Sequence, residues 1–215
     1  MTKKRKRFVY DKRDAVALAL NLCLVILEIK GMAIRISRHG SFGVEYYTQD
    51  SNFLMLIVAA MACFFILRKI IAKKDFPRWF SILKYAATLA LLVTFLVVVC
   101  VLAPGIGFPK GYQLMVFTGA MYYTHFVCPI LAVVCFCLFE KHDLNRKNDA
   151  LLAISYTLLY AVVLLILNIL RVVHGPYPFL MVYEQPIWAS ILWCITILGG
   201  AYVLALLLKY LRKRK

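Results

Sequence analysis

Six long apolar stretches divide the chain, each bounded by charged or turn-forming residues: Asp14–Ile34, Glu45–Leu67, Phe80–Ala103, Tyr112–Phe139, Asp149–Val172 and Pro186–Leu208. The hydrocarbon core of a bilayer is about 30 Å thick and takes about 20 apolar residues as a helix. An open sheet would leave its backbone groups unsatisfied in lipid, so apolar runs of this length predict helices. The breaks carry turn chemistry: Arg38-His39-Gly40-Ser41, Asp75-Phe76-Pro77, the Pro104 to Pro109 segment, and Gly175-Pro176-Tyr177-Pro178. The pattern predicts an all-α polytopic integral membrane protein. Residues 14–208 form one six-helix transmembrane domain, flanked by a basic tail over 1–13 and another over 209–215.

Composition narrows the function classes. Of 215 residues, 63% are hydrophobic and 17% charged, with a mean hydropathy of +0.80. A soluble domain has about half apolar and a quarter charged residues, so a water-soluble enzyme or nucleic-acid-binding domain is excluded. The net charge of +16 then reads as topology. Of the 26 Lys and Arg, 21 fall in the two tails, around the break between spans 2 and 3, and in the loop between spans 4 and 5. The exceptions are Lys30, Arg35, Arg38, Lys110 and Arg171. The positive-inside rule therefore places both termini in the cytoplasm. The basic ends read as anchors on anionic lipid rather than as a nucleic-acid site. A cleaved leader is the rival reading of the first span, but Glu28 and Lys30 follow the run Ala15–Leu27 without a small-x-small site. Short loops and the lack of an organelle signal point to a bacterial plasma membrane.

All seven cysteines fall within spans and read as small packing residues. No metal-ligand spacing, Walker loop or dinucleotide fingerprint occurs, so neither metal nor cofactor is expected. The chemistry-bearing residues are instead polar groups at depth, where each is a functional-site candidate by default. At 1.5 Å per residue, Glu28 lies about 21 Å from the cytoplasmic end of its span and His125 about 22 Å. Thr48 and Asn168 lie about 30 and 28 Å from theirs. Gln49, Asp50, Ser51 and Asn52 follow Thr48, and Arg171 and His174 lie just beyond Asn168. Four spans thus bring polar groups to the outer half, while the inner half is expected to hold little beyond Asn21 and Thr94.

Two readings of these residues stay open at this point. Thr48 and Asp50 fit a helix N-cap with an anionic first turn, and His125 fits a polar contact between helices. Alternatively, His125 is a general base and Thr48 a nucleophile, with Asp50 or Glu28 orienting the imidazole. Asn52, Gln49 or Asn168 would then donate to an oxyanion. Cys128, at i+3 from His125, is a rival nucleophile. Pro129 is expected to free a carbonyl near residue 125, kink the span and open a pocket.

The Tyr46-Tyr47-Thr48-Gln49-Asp50-Ser51-Asn52 block, His125 followed by Pro129, and Tyr177-Pro178-Phe179-Leu180 before the last span resemble one family. It is the androgen-induced and androgen-dependent group of six-pass membrane proteins with their bacterial relatives. Its animal members are threonine hydrolases that cleave fatty-acid esters of hydroxy fatty acids within the membrane. The resemblance implies Thr48 as nucleophile, His125 as base and a lipid ester as substrate. This chain has Tyr122, Tyr123 and Thr124 where the animal proteins carry further Asn and His, and its Gln-Asp-Ser-Asn continuation resembles the bacterial branch. Two other functions fit the polar layer: a small carrier in which Glu28, Asp50, His125 and Arg171 relay protons or bind cargo, and a lipid- or partner-binding protein without turnover.

Overall fold

A computed structural model describes residues 11–40, 43 and 45–213; the Lys3–Arg7 run and the last two residues lie outside the described residues. The chain folds into α1 (Lys12–His39), α2 (Tyr47–Ala72), α3 (Arg78–Ile106), α4 (Lys110–Met115), α5 (Tyr122–Phe139), α6 (Asp149–Ile169) and α7 (Ile187–Lys213). Six of these, all but α4, are long and apolar enough to cross a membrane, as the sequence predicts. Among the described residues there is no strand.

Helix ends follow the local sequence. Asp11 caps α1 by accepting from the Arg13 N–H at 3.0 Å, and Gly40 ends it in the left-handed conformation at φ 67°. Pro77 precedes α3, where its missing N–H costs no intrahelical bond. α5 departs from the expected span. Residues 112–119 do not extend it; they form the end of α4 and an irregular turn, and Ala120 and Met121 lead into the membrane helix at Tyr122. Pro129 offers no N–H to the carbonyl of His125, and the helix widens into π-helical turns over Tyr122–Val127.

α3 is the hub. It packs against α2, α5, α6 and α7, while α1 packs against α2 and α5. One core cluster joins α1, α2, α3 and α5 through residues such as Leu24, Met55, Leu91 and Cys128; another joins α3, α5, α6 and α7 through Tyr85, Phe136 and Ala205. At Gly31, α1 approaches α5 so closely that a Cβ would meet the Thr124 methyl at 2.7 Å, the small-residue packing common between membrane helices. The outward faces of α6 and α7 are apolar and exposed, at Leu159, Trp188 and Ile195 among others, as lipid-facing surfaces must be.

Candidate functional site

The start of α2 is held by tyrosines from α6 and from the segment before α7. A helix N-terminus leaves its first N–H groups without intrahelical partners. Here Tyr47 N–H donates to the Tyr160 hydroxyl at 2.9 Å and Thr48 N–H to the Tyr177 hydroxyl at 3.2 Å. Tyr160 in turn donates to the Glu45 carbonyl at 2.6 Å. The N-cap residue is Tyr46 and uses no side-chain cap, so Thr48 is not the cap that its position suggested. Burial pushes the Tyr177 phenol up to about 12, and it remains a neutral hydroxyl.

Beside this turn lies a chamber of about 770 Å³ at the end of the bundle opposite the basic tails. Thr48, Gln49, Tyr46, Met115, Met121, His125, Tyr177 and Arg35 are among its lining residues. Thr48, together with Tyr47 and Tyr177, also lines a narrow slot of about 60 Å³ walled by Val93, Val97, Ala161, Trp193, Ile197 and Leu198. Thr48 therefore stands where the wider chamber, which holds the polar side chains, meets a narrow apolar slot. His125 is buried, and its Nδ1 lies 2.7 Å from the Met115 carbonyl. A carbonyl only accepts, so Nδ1 carries the proton and Nε2 keeps its lone pair. Nε2 is buried without a hydrogen-bond partner.

The other sequence-predicted residues divide by place. Gln49 lines the chamber. Asn52 lies one turn below Thr48 and spends its amide N–H on the Thr48 carbonyl, leaving its own oxygen unpartnered. Asp50 points the other way, into a separate recess with Tyr156 and Tyr160. Glu28 is fully buried beside the Cys128 thiol, with neither oxygen hydrogen-bonded. The Lys69–Asp14 ion pair at 2.6 Å sets the register of α1 on α2, and counting equally from it places Glu28 level with Met55, less than a turn below Asn52. Neither Asp50 nor Glu28 holds the imidazole; the Met115 carbonyl takes that place. Asn168 bonds the Val173 carbonyl and the Val182 N–H, and Arg171 stacks on the Tyr183 ring, so both fasten the loop after α6 and stand outside the chamber. Cys128 is buried in the core cluster and is not in the chamber lining.

The expectation of a polar-poor inner half is corrected. Thr94 belongs to the other layer, its hydroxyl 2.8 Å from that of Ser51 in the second turn of α2. At the basic end a buried network joins three segments: α1, α3 and the stretch that follows α5. Lys84 donates to Asn21 at 2.6 Å and lies 3.5 Å from Glu140; Asn21 donates to Glu140 at 2.7 Å. His142 lies 2.8 Å from the other Glu140 oxygen and 3.2 Å from the Ser81 hydroxyl. Burial alone would raise the Glu140 pKa, but Lys84 and the hydrogen bonds from His142 and Asn21 hold it below the usual carboxylate range. Burial, with help from the Lys84 and Arg212 charges, lowers that of His142. Lys84 reads in the sequence as one more topological base; its position inside α3, six residues past the helix start, was the signal that it is buried.

Among the described residues no three His, Cys, Asp or Glu side chains come together to hold a metal ion. Comparison with family models finds no match, and comparison with curated proteins and with solved structures finds no significant one.

Proposed function

We propose that this integral membrane protein is a lipid-ester hydrolase or acyl-transfer enzyme with Thr48 as nucleophile and His125 as general base, of the androgen-induced and androgen-dependent type that its motifs resemble. The observation that carries the reading is His125: a neutral imidazole fixed through Nδ1–H, with an unpartnered Nε2, in the chamber that Thr48 also lines. In the first step the Thr48 oxygen bonds to the acyl carbon while its proton passes to His125 Nε2. Collapse breaks the ester C–O bond, and the leaving alkoxide takes the proton back from Nε2. A water or acceptor alcohol then attacks the acyl-threonine and gives its proton to Nε2; the bond between the acyl carbon and the Thr48 oxygen breaks, Nε2 returns that proton to Thr48, and the acid or new ester leaves. Gln49 would donate to the oxyanion, supported by its place in the chamber lining and by the engagement of the Asn52 and Asn168 amides elsewhere. The apolar slot beyond Thr48 suits the first carbons of an acyl chain. In this reading membrane lipids supply both substrate and surroundings; the distribution of bases supports a chamber on the non-cytoplasmic side, and the short loops support a bacterial plasma membrane.

Hydrolysis of a short-chain nitrophenyl ester by the purified chain, compared with Thr48→Ala and Thr48→Ser, tests this. Turnover lost in Thr48→Ala and partly kept in Thr48→Ser is expected. Equal turnover in all three removes the nucleophile.

The buried Lys84–Glu140–His142 network favours a second reading, a carrier, by placing ionisable groups in both halves of the bundle. That network is closed on itself by its own hydrogen bonds, and proteoliposome uptake dependent on Glu28 is the result that would make it the better account.

A further inference from the structure

Arg35 and Arg38 are two of only five bases that the topology leaves at the end opposite the tails. They are three residues apart on the last turns of α1, hence on one face. Together they line a recess of about 130 Å³ with Leu114, Thr118, Ala120 and Met121. Arg35 and Met121 also line the larger chamber, so the half-buried Arg35 forms part of the wall between the two.

The Arg35 guanidinium is half-buried, and the exposed Arg38 side chain rests its guanidinium against the backbone. The Arg38 group lies against Gly119, where a Cβ would meet Nη1 at 2.5 Å, and the Arg35 group lies against Gly43 in the same manner. Arg35 further stacks over the Tyr46 ring, 5.4 Å from its centroid. Glycine at these places leaves the room that two fixed guanidinium planes need. Among the residues lining either cavity, Glu45 is the sole acid, so the mouth is cationic.

We infer that Arg35 and Arg38 form a headgroup site for the phosphate of an anionic membrane lipid. Guanidinium forks match phosphate oxygens bidentately, and a site at a helix end sits at the depth of lipid headgroups. The occupant is a lipid rather than free phosphate because Leu114, Ala120 and Met121 make most of the rest of the recess apolar, the Thr118 hydroxyl being spent on the Gln113 carbonyl, and because the adjoining chamber leads past Thr48 into the apolar slot. Binding requires no bond cleavage, and although Arg35 shares the chamber with Thr48 and His125, its test reads affinity and not turnover, so it can fail or succeed independently of the proposed chemistry.

The test is binding to the full chain in neutral detergent, read by native mass spectrometry, with dioctanoyl phosphatidylglycerol, dioctanoyl phosphatidylcholine and inorganic phosphate as probes. Phosphatidylglycerol should bind about tenfold tighter than phosphatidylcholine, and R35Q/R38Q should remove that preference. Lys110→Gln, which removes an exposed base outside both cavities, should leave it unchanged. R35K/R38K keeps the charge, tolerates a folding defect of the neutral variant, and should lose part of the preference through loss of the bidentate fork. Equal affinity for both lipids, or a preference surviving in both double variants, overturns the inference. Displacement of phosphatidylglycerol by inorganic phosphate at equal concentration overturns the lipid assignment in favour of a free-anion site.

Discussion

His125 Nδ1–H donates to the carbonyl of Met115, ten residues earlier in the chain, at 2.7 Å, and this bond ties α5 to the end of α4. It fixes the ring and its tautomer with a backbone group, where the sequence leads one to look for a carboxylate. An Asn side chain places an N–H close to the Nδ1 position but supplies no base. His125→Asn should therefore fold with a thermal midpoint close to that of the wild type while ester turnover falls about 100-fold or more. Turnover within a few-fold of wild type would show that the imidazole is not the base.

The two tyrosine hydroxyls at the start of α2 should separate stability from function. Tyr160→Phe leaves the Tyr47 N–H without its partner and should cost about 1–2 kcal/mol, with turnover nearly unchanged. Tyr177→Phe removes the partner of the Thr48 N–H and should lower turnover beyond what its comparable loss of stability explains. Denaturation and kinetics on both variants check this.

The slot beyond Thr48 makes a prediction about chain length. Ala161 lines it, and Ala161→Phe should fill much of its roughly 60 Å³. Turnover of long-chain esters should fall while acetyl and butyryl esters continue to be cleaved. A uniform loss across chain lengths would mean that the slot is not the acyl site.

At the basic end, Lys84 and Glu140 are both fully buried. Lys84→Met leaves the buried carboxylate without its cation, held only by the Asn21 and His142 hydrogen bonds, and should cost about 3–5 kcal/mol, much of which the double variant Lys84→Met, Glu140→Gln recovers. A double variant no more stable than the single one would show that the pair is not coupled.

His142 gives this network a pH dependence. Its pKa is lower in the folded protein than the ordinary value of about 6.5, so the unfolded chain takes up the proton first as pH falls. The stability it contributes is fully present above about pH 6.5 and declines below it. Glu140, also lowered by folding, adds a further loss only below about pH 4.3. The thermal midpoint should drop between pH 7 and 5, and less steeply in His142→Asn. An unchanged slope in that variant would assign the effect elsewhere.

The membrane bundle was legible because a span must be long, apolar and helical, constraints that act residue by residue. The outer end of the fourth span was not, since the stretch 112–119 is apolar enough for a helix yet is turned aside after α4. Depth counting placed Glu28, Thr48 and His125 in one layer, but depth says nothing of azimuth. Asp50 faces a different recess from Thr48, and Glu28 faces Cys128. Lys84 was misread because charge in a membrane helix near its end looks topogenic, and only the fold brings Glu140 and Asn21 to it. Tyr177 was visible as part of a motif and as a turn residue, though not as the partner of Thr48. The Met115 carbonyl could not be foreseen, because a backbone acceptor leaves no signal in side-chain identity.

The central claim is that Thr48 is an activated nucleophile. Labelling of detergent-purified protein with a fluorophosphonate, followed by peptide mapping, tests it most directly. A single adduct on the Thr48 oxygen is expected, absent from Thr48→Ala and from His125→Ala, with both variants well folded. Undiminished labelling of Thr48→Ala, or no labelling of a folded wild type, would contradict it.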